Sequence, residues 1–402
     1  MPIPCEASAP FSRAEPLTYA LRKLLSLADF EDAARKHLPR PIFGYVHGGA
    51  EDNVARDSNS AAYREWSFVP RVLVDVSERS QRTELFGQMY ASPFGISPMG
   101  VSALIAYQGD LALARAAETA NIPMIVSSTG LIRLEEVQQA GPRSTWFQAY
   151  LPGEAASVES MIQRVQAAGF RTLVLTVDVA TLPSRENNVR VGFTMPLQPS
   201  ARLFWDGMIR PRWLLGTLAR TLIERGMPHF ENAGVNRGVP IIARSALRQF
   251  SARDKLSWAH VAQIRRMWKG EFVLKGILSA EDAQLAADHG VDGLIVSNHG
   301  GRQLDSSIAP LRALPAIVRA KGSMKIMIDG GIRRGTEVLK ALSLGADFVF
   351  IARPFIYAAA IGGQAGVAHA IRLLSNEILQ DMALLGVSSV RELGPHMLAP
   401  RT

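Results

Sequence analysis

The sequence predicts an α/β protein built on a (β/α)8 TIM barrel, with a helical extension at the N-terminus and a long insertion after the fourth strand. Two observations predict this fold. Short apolar segments alternate with segments of helical spacing along most of the chain, which is the order of a parallel sheet closed by crossover helices. Polar residues also follow the apolar segments at one end. A doubly wound open sheet is the alternative, but no GxGxxG pattern follows the first strand.

The apolar segments have the length and composition of buried parallel strands. Eight are predicted, at residues 94–97, 123–126, 145–148, 172–177, 271–275, 293–296, 325–329 and 346–351. Helices are predicted between them at 109–120, 280–289 and 335–345, and one more ahead of the barrel at 19–38. The length of 402 residues alone allows one large domain or two to three smaller ones. The consecutive β-then-α units favour a single domain over 1–402.

The connection from about 187 to 257 contains no predicted strand, and connections this long are usually functional or mobile. Its aromatic and aliphatic residues are interleaved with basic ones: Phe204, Trp205, Met208, Ile209, Trp213, Leu214, Leu215, Leu222 and Ile223 with Arg202, Arg210, Arg212, Arg220 and Arg225. This composition suits a segment that lies flat on an anionic membrane, with Trp205 and Trp213 at headgroup level. The alternative is a lid that packs on the barrel or on a neighbouring subunit.

The chain carries a formal net charge of +8 and a single cysteine, Cys5. One cysteine excludes an internal disulfide and suits a reducing compartment, so a cytoplasmic location is expected. The N-terminus lacks a signal pattern, and no apolar run is long enough to cross a bilayer. The arginines are scattered and no nucleic-acid motif is present, so nucleic acid is not an expected partner. The basic charge then points to an anionic substrate or an anionic membrane surface.

Polar residues stand at or just past the C-terminal ends of the predicted strands, on the face that carries the active site in this architecture. They are Ser127, Gln148, Thr176, Asp178, Lys275, Ser297, His299 and Asp329. The alternative for each residue singly is a polar strand end satisfied by its neighbours. Their convergence on one rim instead predicts a catalytic or binding site.

The stretch Ser297-Asn298-His299-Gly300-Gly301-Arg302-Gln303-Leu304-Asp305 directly follows the sixth predicted strand. It places an imidazole and a guanidinium three residues apart, and its two glycines permit a tight turn and a close approach of backbone to a ligand. A base beside a fixed cation suits the removal of a proton from an anionic substrate. The alternative is an ordinary glycine-rich turn with a solvated His and Arg.

Glycine turns and arginines also follow the last two predicted strands. Asp329-Gly330-Gly331-Ile332-Arg333 closes the seventh strand and Ala352-Arg353 closes the eighth. Helix N-termini and nearby arginines bind phosphate, and the loops after strands seven and eight are the usual phosphate site of this barrel. A bound phosphate is therefore predicted here. The sequence has no Cys/His spacing typical of a metal site, so no metal is expected.

These motifs resemble the FMN-dependent 2-hydroxy acid oxidase and dehydrogenase family, which includes glycolate oxidase, lactate oxidase, L-lactate dehydrogenase and mandelate dehydrogenase. The stretch from Ser297 to Gln303 is the family's signature, and the resemblance runs from about Asp29 to Leu393. Further segments agree in order and spacing, at 43–45, 48–52, 147–150, 176–178, 275–276 and 329–335. The resemblance implies FMN as cofactor and the oxidation of an L-2-hydroxy acid, lactate- or mandelate-like, to its 2-oxo acid.

The resemblance also implies a role for each matching residue. His299 would be the catalytic base, and Asp178 would stabilise the imidazolium that forms. The substrate carboxylate would be held by Arg185, Arg302, Tyr45 and Tyr150. Around the flavin ring, the contacts would be Pro98, Met99 and Gly100 near N5, Lys275 near N1 and O2, and Ser127, Gln148, Thr176 and Ser297 on the isoalloxazine. Asp329 would contact the ribityl chain. The phosphate would be bound by Gly330, Gly331, Arg333, Ala352 and Arg353. His47, in the glycine turn at 47–49, is predicted to be structural.

Some residues depart from the oxidases of this family. Met99-Gly100 replaces a common Thr-Ala, Thr129 stands where glycolate oxidase has a Trp, and Ala352 stands where Gly is usual. The first two changes leave room for a side chain larger than that of glycolate. Gly100 and the basic, aromatic insertion resemble the dehydrogenases, which implies a quinone-type acceptor, peripheral attachment to the inner face of the cytoplasmic membrane and the tetramer common in the family. The alternatives are a soluble oxidase that forms hydrogen peroxide and a non-catalytic flavin- or phosphate-binding barrel.

Overall fold

The computed structural model describes residues 17–151, 154–194, 197–198, 200–243 and 253–401. Cys5 and residues 244–252 of the predicted insertion lie outside the described residues. Eight parallel strands form a closed barrel in which each strand pairs with the next along the chain and the last pairs with the first. The predicted barrel is therefore confirmed, and the open-sheet alternative is wrong.

The barrel strands agree with the eight predicted segments, with small shifts at their ends. Numbered in chain order, they are β1 (Phe94–Ile96), β2 (Met124–Ser127), β3 (Thr145–Ala149), β4 (Thr172–Thr176), β5 (Glu271–Ile277), β6 (Gly293–Val296), β7 (Lys325–Asp329) and β8 (Phe348–Ile351). Two short antiparallel pairs lie outside the barrel, Trp66–Phe68 with Leu398–Pro400 and Thr83–Leu85 with Gln88–Tyr90.

Helices cover the outside of the barrel and form the N-terminal extension. Those of the extension are Tyr19–Arg22, Leu27–His37, Arg40–His47 and Val54–Ala62. Those of the barrel are Ser102–Ile105, Gly109–Ala120, Leu134–Ala140, Ala155–Ala167, Trp258–Met267, Ala280–Asp288, Pro310–Arg319, Gly335–Ser343 and Arg353–Leu385, the last broken at Gly362 and Gly363. Short 3₁₀ turns occupy Tyr63–Glu65, Val390–Glu392 and Pro395–Met397.

The strands are apolar throughout because both of their faces are buried. Side chains alternate along a strand, so one set fills the barrel and the other packs under the helices. The inner set is Ile125, Trp146, Val174, Val273, Ile295, Met327, Phe348 and Phe350, joined by Leu85 and Tyr90 of the hairpin. These large side chains fill the interior of the barrel, which leaves its C-terminal rim for polar residues.

The prediction of one continuous helix over 19–38 is wrong, because two helices, Tyr19–Arg22 and Leu27–His37, occupy this range. The Asp29 carboxylate accepts hydrogen bonds from the backbone N–H groups of Leu25 (2.7 Å) and Ser26 (2.9 Å). Ser26 has extended backbone and caps the second helix. Such a cap starts a new helix and so interrupts the preceding one.

The insertion lies between β4 and β5 and contains several short helices in its described part. These are Glu186–Val191, Ala201–Met208, Pro211–Trp213, the π-helical turn Leu214–Ala219 and Arg220–Arg225. The prediction that Trp213 lies at the headgroup level of a membrane is wrong. This residue is only 3% exposed, and its indole N–H donates to the carbonyl oxygen of Leu104 at 3.1 Å. Trp205, in contrast, is 66% exposed. Part of the insertion thus packs on the barrel, and other apolar side chains of it are exposed.

The lengths and hydropathies of the helices bear on membrane attachment. Within the described part of the chain, none of them is both long and apolar enough to span a bilayer.

Candidate active site

Most of the predicted site residues line one cavity at the C-terminal rim of the barrel. They are Tyr45, Pro98, Met99, Gly100, Ser127, Tyr150, Thr176, Arg185, Lys275, His299, Arg302, Asp329, Gly330, Gly331, Arg333, Ala352 and Arg353. The other three, Asp178, Gln148 and Ser297, are hydrogen-bonded to residues of that lining. The fold therefore brings together residues that are more than 300 positions apart in sequence (Tyr45 and Arg353).

The imidazole of His299 is oriented by Asp178. His299 Nδ1 lies 3.0 Å from Oδ1 and 3.3 Å from Oδ2 of the Asp178 carboxylate. An ionised carboxylate only accepts hydrogen bonds, so this contact assigns the proton to Nδ1 and leaves Nε2 as the basic nitrogen. Burial lowers the pKa of His299, and Asp178 opposes this shift only in part. The ring is therefore neutral at pH 7 and can accept a proton.

The backbone at 299–301 is held in an unusual conformation. His299, Gly300 and Gly301 have φ values of +59°, +66° and +72°. This left-handed region is costly for a residue with a side chain, and such strain is concentrated at functional sites. Ser297 Oγ accepts a hydrogen bond from the His299 N–H at 3.0 Å. A Cβ on Gly301 would lie 2.3 Å from the backbone nitrogen of Arg56, so only glycine fits there.

Two tyrosines face the same cavity as His299. The Tyr150 hydroxyl lies 3.2 Å from His299 Nε2. Burial raises the pKa of Tyr150 well above its usual range, so its hydroxyl keeps its proton at neutral pH and can donate it in a hydrogen bond. The Tyr45 ring stacks on Phe193 with a centroid distance of 4.3 Å. The Tyr150 hydroxyl is thus close to the basic nitrogen, and Tyr45 lines the same cavity.

Arg302 and Arg185 are held at the cavity by neighbouring oxygens. Arg302 Nη1 donates to the carbonyl oxygens of Tyr45 (2.6 Å) and Gly48 (2.9 Å). Arg185 Nε donates to the carbonyl oxygen of Arg302 (3.0 Å), and its Nη2 donates to Gln303 Oε1 (2.7 Å). Burial, followed by the charge of Arg302, lowers the pKa of Arg185 to about 10. Arg185 therefore stays charged at pH 7, and the repulsion between the two neighbouring guanidinium groups favours an anion between them.

The register of the strands places polar side chains next to each other at the base of the cavity. Ser127 on β2 pairs with Gln148 on β3, and Thr176 on β4 pairs with Lys275 on β5. Lys275 Nζ donates to Ser297 Oγ at 2.8 Å and lies 3.1 Å from Oδ2 of Asp329. Neighbouring parallel strands in register end at one level, so these polar groups form a row along the rim.

Three buried polar atoms in this row have no hydrogen-bond partner among the described residues. They are Gln148 Nε2, Thr176 Oγ1 and Asp329 Oδ1. Buried polar groups in native proteins are normally paired. An amide donor, a hydroxyl and a carboxylate acceptor suit a ligand with a polar heterocycle and a hydroxylated chain. The row therefore fits FMN.

The end of the cavity beyond β7 and β8 fits a phosphate group. Gly331 has a φ of +84°, and a Cβ there would lie 2.4 Å from the carbonyl oxygen of Asn59. Arg353 follows Ala352 and begins a helix, and its Nε donates to the Val46 carbonyl oxygen at 2.9 Å. Burial, followed by the charge of Arg302, lowers the pKa of Arg353 to about 9. A buried arginine beside other cations is stabilised by an anionic ligand.

Gly100 and Thr129 pack against each other at the cavity wall. A Cβ on Gly100 would lie 2.1 Å from Thr129 Oγ1, and that oxygen is 2.9 Å from Ser127 Oγ. Because both residues are small, no bulky side chain projects into the cavity at this point. Apolar side chains line the cavity nearby, among them Ile105, Val179, Leu182 and Phe230.

Several cavity residues were not predicted from the sequence, among them Gln303 and Arg253. Gln303 bridges the site, since its Oε1 accepts from Arg185 and its Nε2 donates to the carbonyl oxygen of Asp178 at 3.2 Å. Its position inside the signature was the signal that could have found it. The guanidinium carbon of Arg253 lies 4.3 Å from the centroid of the Tyr150 ring. Nothing local in the insertion distinguishes Arg253 from the other arginines there.

His47 lies outside the lining of this cavity. Its Nδ1 is 3.1 Å from Oε1 of Glu31, and its ring stacks on Phe43 at a centroid distance of 5.3 Å. The contact with Glu31 joins two helices of the N-terminal extension, and the stacking on Phe43 lies within one of them. They agree with the structural role predicted for this residue.

Comparison with known proteins gives one consistent result. Residues 34–400 match the family described as FMN-dependent dehydrogenase. The chain is 35% identical to (S)-mandelate dehydrogenase of Pseudomonas putida over 377 residues, which is 94% of each chain. It is 38% identical to L-lactate dehydrogenase of Xanthomonas campestris pv. campestris (strain B100) over 378 residues, 92% of this chain and 96% of the relative.

Solved structures give the same picture. The structure of the monotopic membrane protein (S)-mandelate dehydrogenase superposes with a TM-score of 0.88 at 34% identity, covering 94% of this chain and 100% of that one. A mandelate oxidase superposes with a TM-score of 0.78 at 33% identity, covering 94% and 99%. Proteins named as a dehydrogenase and as an oxidase thus share this architecture.

Proposed function

This chain belongs to the FMN-dependent dehydrogenase family, and from that premise we propose that it oxidises a lactate- or mandelate-like L-2-hydroxy acid to the 2-oxo acid and passes the electrons to a quinone-type carrier. The observation that carries the proposal is the contact between His299 and Asp178, with the basic Nε2 facing a cavity that two arginines also line. A base and paired cations in one cavity suit proton removal from a bound carboxylate.

Substrate binding falls to the two arginines and the two tyrosines. Arg185 and Arg302 hold the carboxylate, and the hydroxyl groups of Tyr45 and Tyr150 donate to its oxygens. Because Arg302 is anchored by backbone carbonyl oxygens, its guanidinium is oriented before the substrate arrives. This fixed grip orients the α-carbon toward the row of polar groups at the rim.

Proton transfer falls to His299. Its Nε2 accepts a proton from the bound substrate, and the negative charge of Asp178 stabilises the imidazolium that results. The hydroxyl of Tyr150, 3.2 Å from that nitrogen, helps to position the reacting group. Burial excludes water from both partners, which strengthens the electrostatic interaction between them.

FMN would be held along the polar row by Ser127, Gln148, Thr176, Ser297 and Asp329, with the backbone of Pro98, Met99 and Gly100 beside it. Gly330, Gly331, Arg333, Ala352 and Arg353 would hold its phosphate end. When bound, FMN supplies the oxidising capacity that accepts two electrons from the substrate. Lys275, buried beside Asp329, would place a positive charge next to the bound flavin, where it would favour the reduced, more negative form.

The test is anaerobic bleaching of the flavin absorbance in the purified protein. We expect the protein to be yellow and to bleach on addition of L-lactate, L-mandelate or another L-2-hydroxy acid from a panel of side-chain sizes. The small residues Gly100 and Thr129 leave room for acids larger than glycolate. Bound FMN without bleaching by any member of the panel would refute the enzyme and support the non-catalytic flavin barrel.

The rate of flavin reduction should fall at acid pH. Neutral His299 accepts the proton and the imidazolium does not, so the rate rises with pH through the His299 pKa. Because burial lowers this pKa, the acid limb of the pH–rate profile should lie below the ordinary histidine value of about 6.5.

Asp178 raises the pKa of His299, so Asp178→Asn should move the acid limb to still lower pH while reducing the rate. Stopped-flow reduction between pH 4.5 and 8 checks this, and a limb that moves upward in Asp178→Asn would contradict the assignment.

The choice of a quinone-type acceptor rests on the insertion and on Gly100. Phe204, Trp205 and Ile223 of the insertion are exposed, and the arginines interleaved with them in sequence suit an anionic membrane surface. A carrier dissolved in the bilayer would then be close to the bound protein. Attachment to the inner face of the cytoplasmic membrane and assembly as a tetramer belong to the same proposal. Rapid formation of hydrogen peroxide in air would instead indicate the soluble oxidase.

We expect the double variant Trp205→Ser/Ile223→Ser to bind anionic vesicles far less than the parent protein. The two side chains are 66% and 84% exposed, and burying a large apolar side chain contributes about 1.5–3 kcal/mol, so each loss should weaken partitioning roughly tenfold. The measurement is co-sedimentation with vesicles. Leu384→Ser is the matched control, because Leu384 is 75% exposed on a barrel helix. Equal losses in the control and the double variant would contradict an interfacial insertion.

A further inference from the structure

A second cavity, of about 520 Å³, lies between the insertion and the barrel and shares no lining residue with the first. Residues 131–133, which follow β2, form one wall, and residues 225–228 and 235–237 of the insertion form another. Its volume falls within the roughly 300–1,000 Å³ usual for small-molecule sites. None of the predicted catalytic or cofactor-binding residues lines it.

The cavity is rich in arginine. Arg133, Arg164, Arg225 and Arg237 line it, and they pair with Glu135, Glu136 and Glu231. Four guanidinium groups against three carboxylates leave the cluster with an excess of one positive charge. Arg225 contacts Glu136 through Nη1 at 2.9 Å, and Arg237 contacts Glu231 through Nε at 2.7 Å. A guanidinium has five N–H donors in a planar fork, so Arg225 and Arg237 can each bind a phosphate in addition to the glutamate.

Thr221 adds an observation that points to a ligand. Its side chain lines the cavity, the residue is 6% exposed, and Oγ1 has no hydrogen-bond partner among the described residues. Buried hydroxyl groups are normally hydrogen-bonded. A ligand with a polar group in the cavity would complete this one.

The exposed part of the cavity lining includes apolar residues as well as arginines. Met227 and Val235 line it and are also exposed to solvent, and the exposed Ile223 lies in the same helix as Arg225. A cavity lined by arginines, with exposed apolar side chains beside them, suits an amphiphile whose anionic headgroup enters while its chains stay outside. The cavity thus lies beside the surface that is proposed to contact the membrane.

We propose that this cavity binds the headgroup of an anionic phospholipid, with a phosphodiester on Arg133, Arg225 and Arg237. The proposal rests on the membrane attachment proposed above. An uncharged headgroup with hydroxyl groups, such as glycerol, can donate to Glu136 and Glu231 while the phosphate supplies the negative charge. A choline headgroup has no hydroxyl or N–H donor and adds a positive charge to a cluster that is already cationic.

The experiment compares vesicles of equal surface charge. Neutral phosphatidylcholine vesicles are doped either with phosphatidylglycerol or with oleate, and the apparent affinity of the full-length holoprotein is measured by co-sedimentation. We expect several-fold tighter binding to the phosphatidylglycerol vesicles. Arg225→Gln should lower that affinity roughly tenfold, the size of one charge-assisted hydrogen bond. Arg212→Gln is the matched control, because it removes an exposed arginine of the insertion that does not line the cavity.

Thr221→Val is the sharper variant, because it keeps the shape and net charge and removes only the unpaired hydroxyl. We expect it to lose most of the preference for phosphatidylglycerol over oleate, with thermal stability and flavin reduction unchanged. The preference should persist in Arg212→Gln. Equal binding to both vesicle types by the parent protein would overturn the headgroup site and leave membrane attachment standing. Absence of binding to every vesicle would overturn both.

A solution measurement separates a lipid from a free phosphate ester. Glycerol 3-phosphate should raise the melting temperature of the parent protein saturably and that of Thr221→Val less, and it should compete with phosphatidylglycerol vesicles. A Thr221-dependent shift without any preference among vesicles would assign the cavity to a soluble phosphate ester and overturn the lipid proposal.

Discussion

We expect His299→Gln to keep its FMN and to lose roughly 10² to 10⁴ in the rate of flavin reduction, the range typical of a general base. Glutamine approximates the volume of histidine, but its amide nitrogen does not accept a proton. Asp178 would then face an uncharged group that gains no positive charge during the reaction. The loss should therefore appear in the rate at saturating substrate rather than in substrate affinity.

The measurement is single-turnover reduction under anaerobic conditions, with bound FMN determined from absorbance. His299 has a φ of +59°, so the melting temperature of the variant should be recorded to separate loss of the base from loss of folding. His47→Gln serves as the control, because His47 contacts Glu31 outside the cavity. Reduction of the flavin in His299→Gln at close to the parent rate would refute its role as base.

We expect Arg302→Lys to weaken substrate binding and to slow flavin reduction together, with kcat/KM reduced roughly 10- to 100-fold. Arg302 uses one nitrogen for the carbonyl oxygens of Tyr45 and Gly48 and presents the rest of a planar fork to the cavity. A lysine has a single ammonium group, which cannot hold both the carbonyl oxygens and a substrate carboxylate in that geometry. The estimate corresponds to the loss of about one charge-assisted hydrogen bond, 1.5–3 kcal/mol.

Steady-state kinetics and the dissociation constant from single-turnover experiments measure this effect. Arg312→Lys is the control, because Arg312 forms a partly exposed ion pair with Glu65 away from the cavity. If kcat and KM in Arg302→Lys equal those of the parent, Arg302 does not bind the carboxylate, and Arg185 would be left as the anchor.

The sequence by itself determined the barrel and the residues of its rim. Strand length and helical period are local properties of a chain, so the eight apolar segments could be found without any knowledge of contacts. In a parallel barrel all strands end on the same face. Polar residues directly after strands, such as Thr176, Lys275 and Asp329, were therefore assigned to one rim before any distance was known, and the motif at 297–303 placed the base on it.

Only the tertiary structure decided which side chains pair and which are buried. Trp205 and Trp213 have similar surroundings in sequence, yet Trp213 is buried because its indole reaches the carbonyl oxygen of Leu104 on the barrel. The anchoring of Arg302 by carbonyl oxygens of the N-terminal extension, and the arginine-rich cavity beside Thr221, likewise depend on segments far apart in the chain. Burial and pairing are set by the surface that a residue meets on folding, and that surface leaves no pattern in the residue's own neighbourhood.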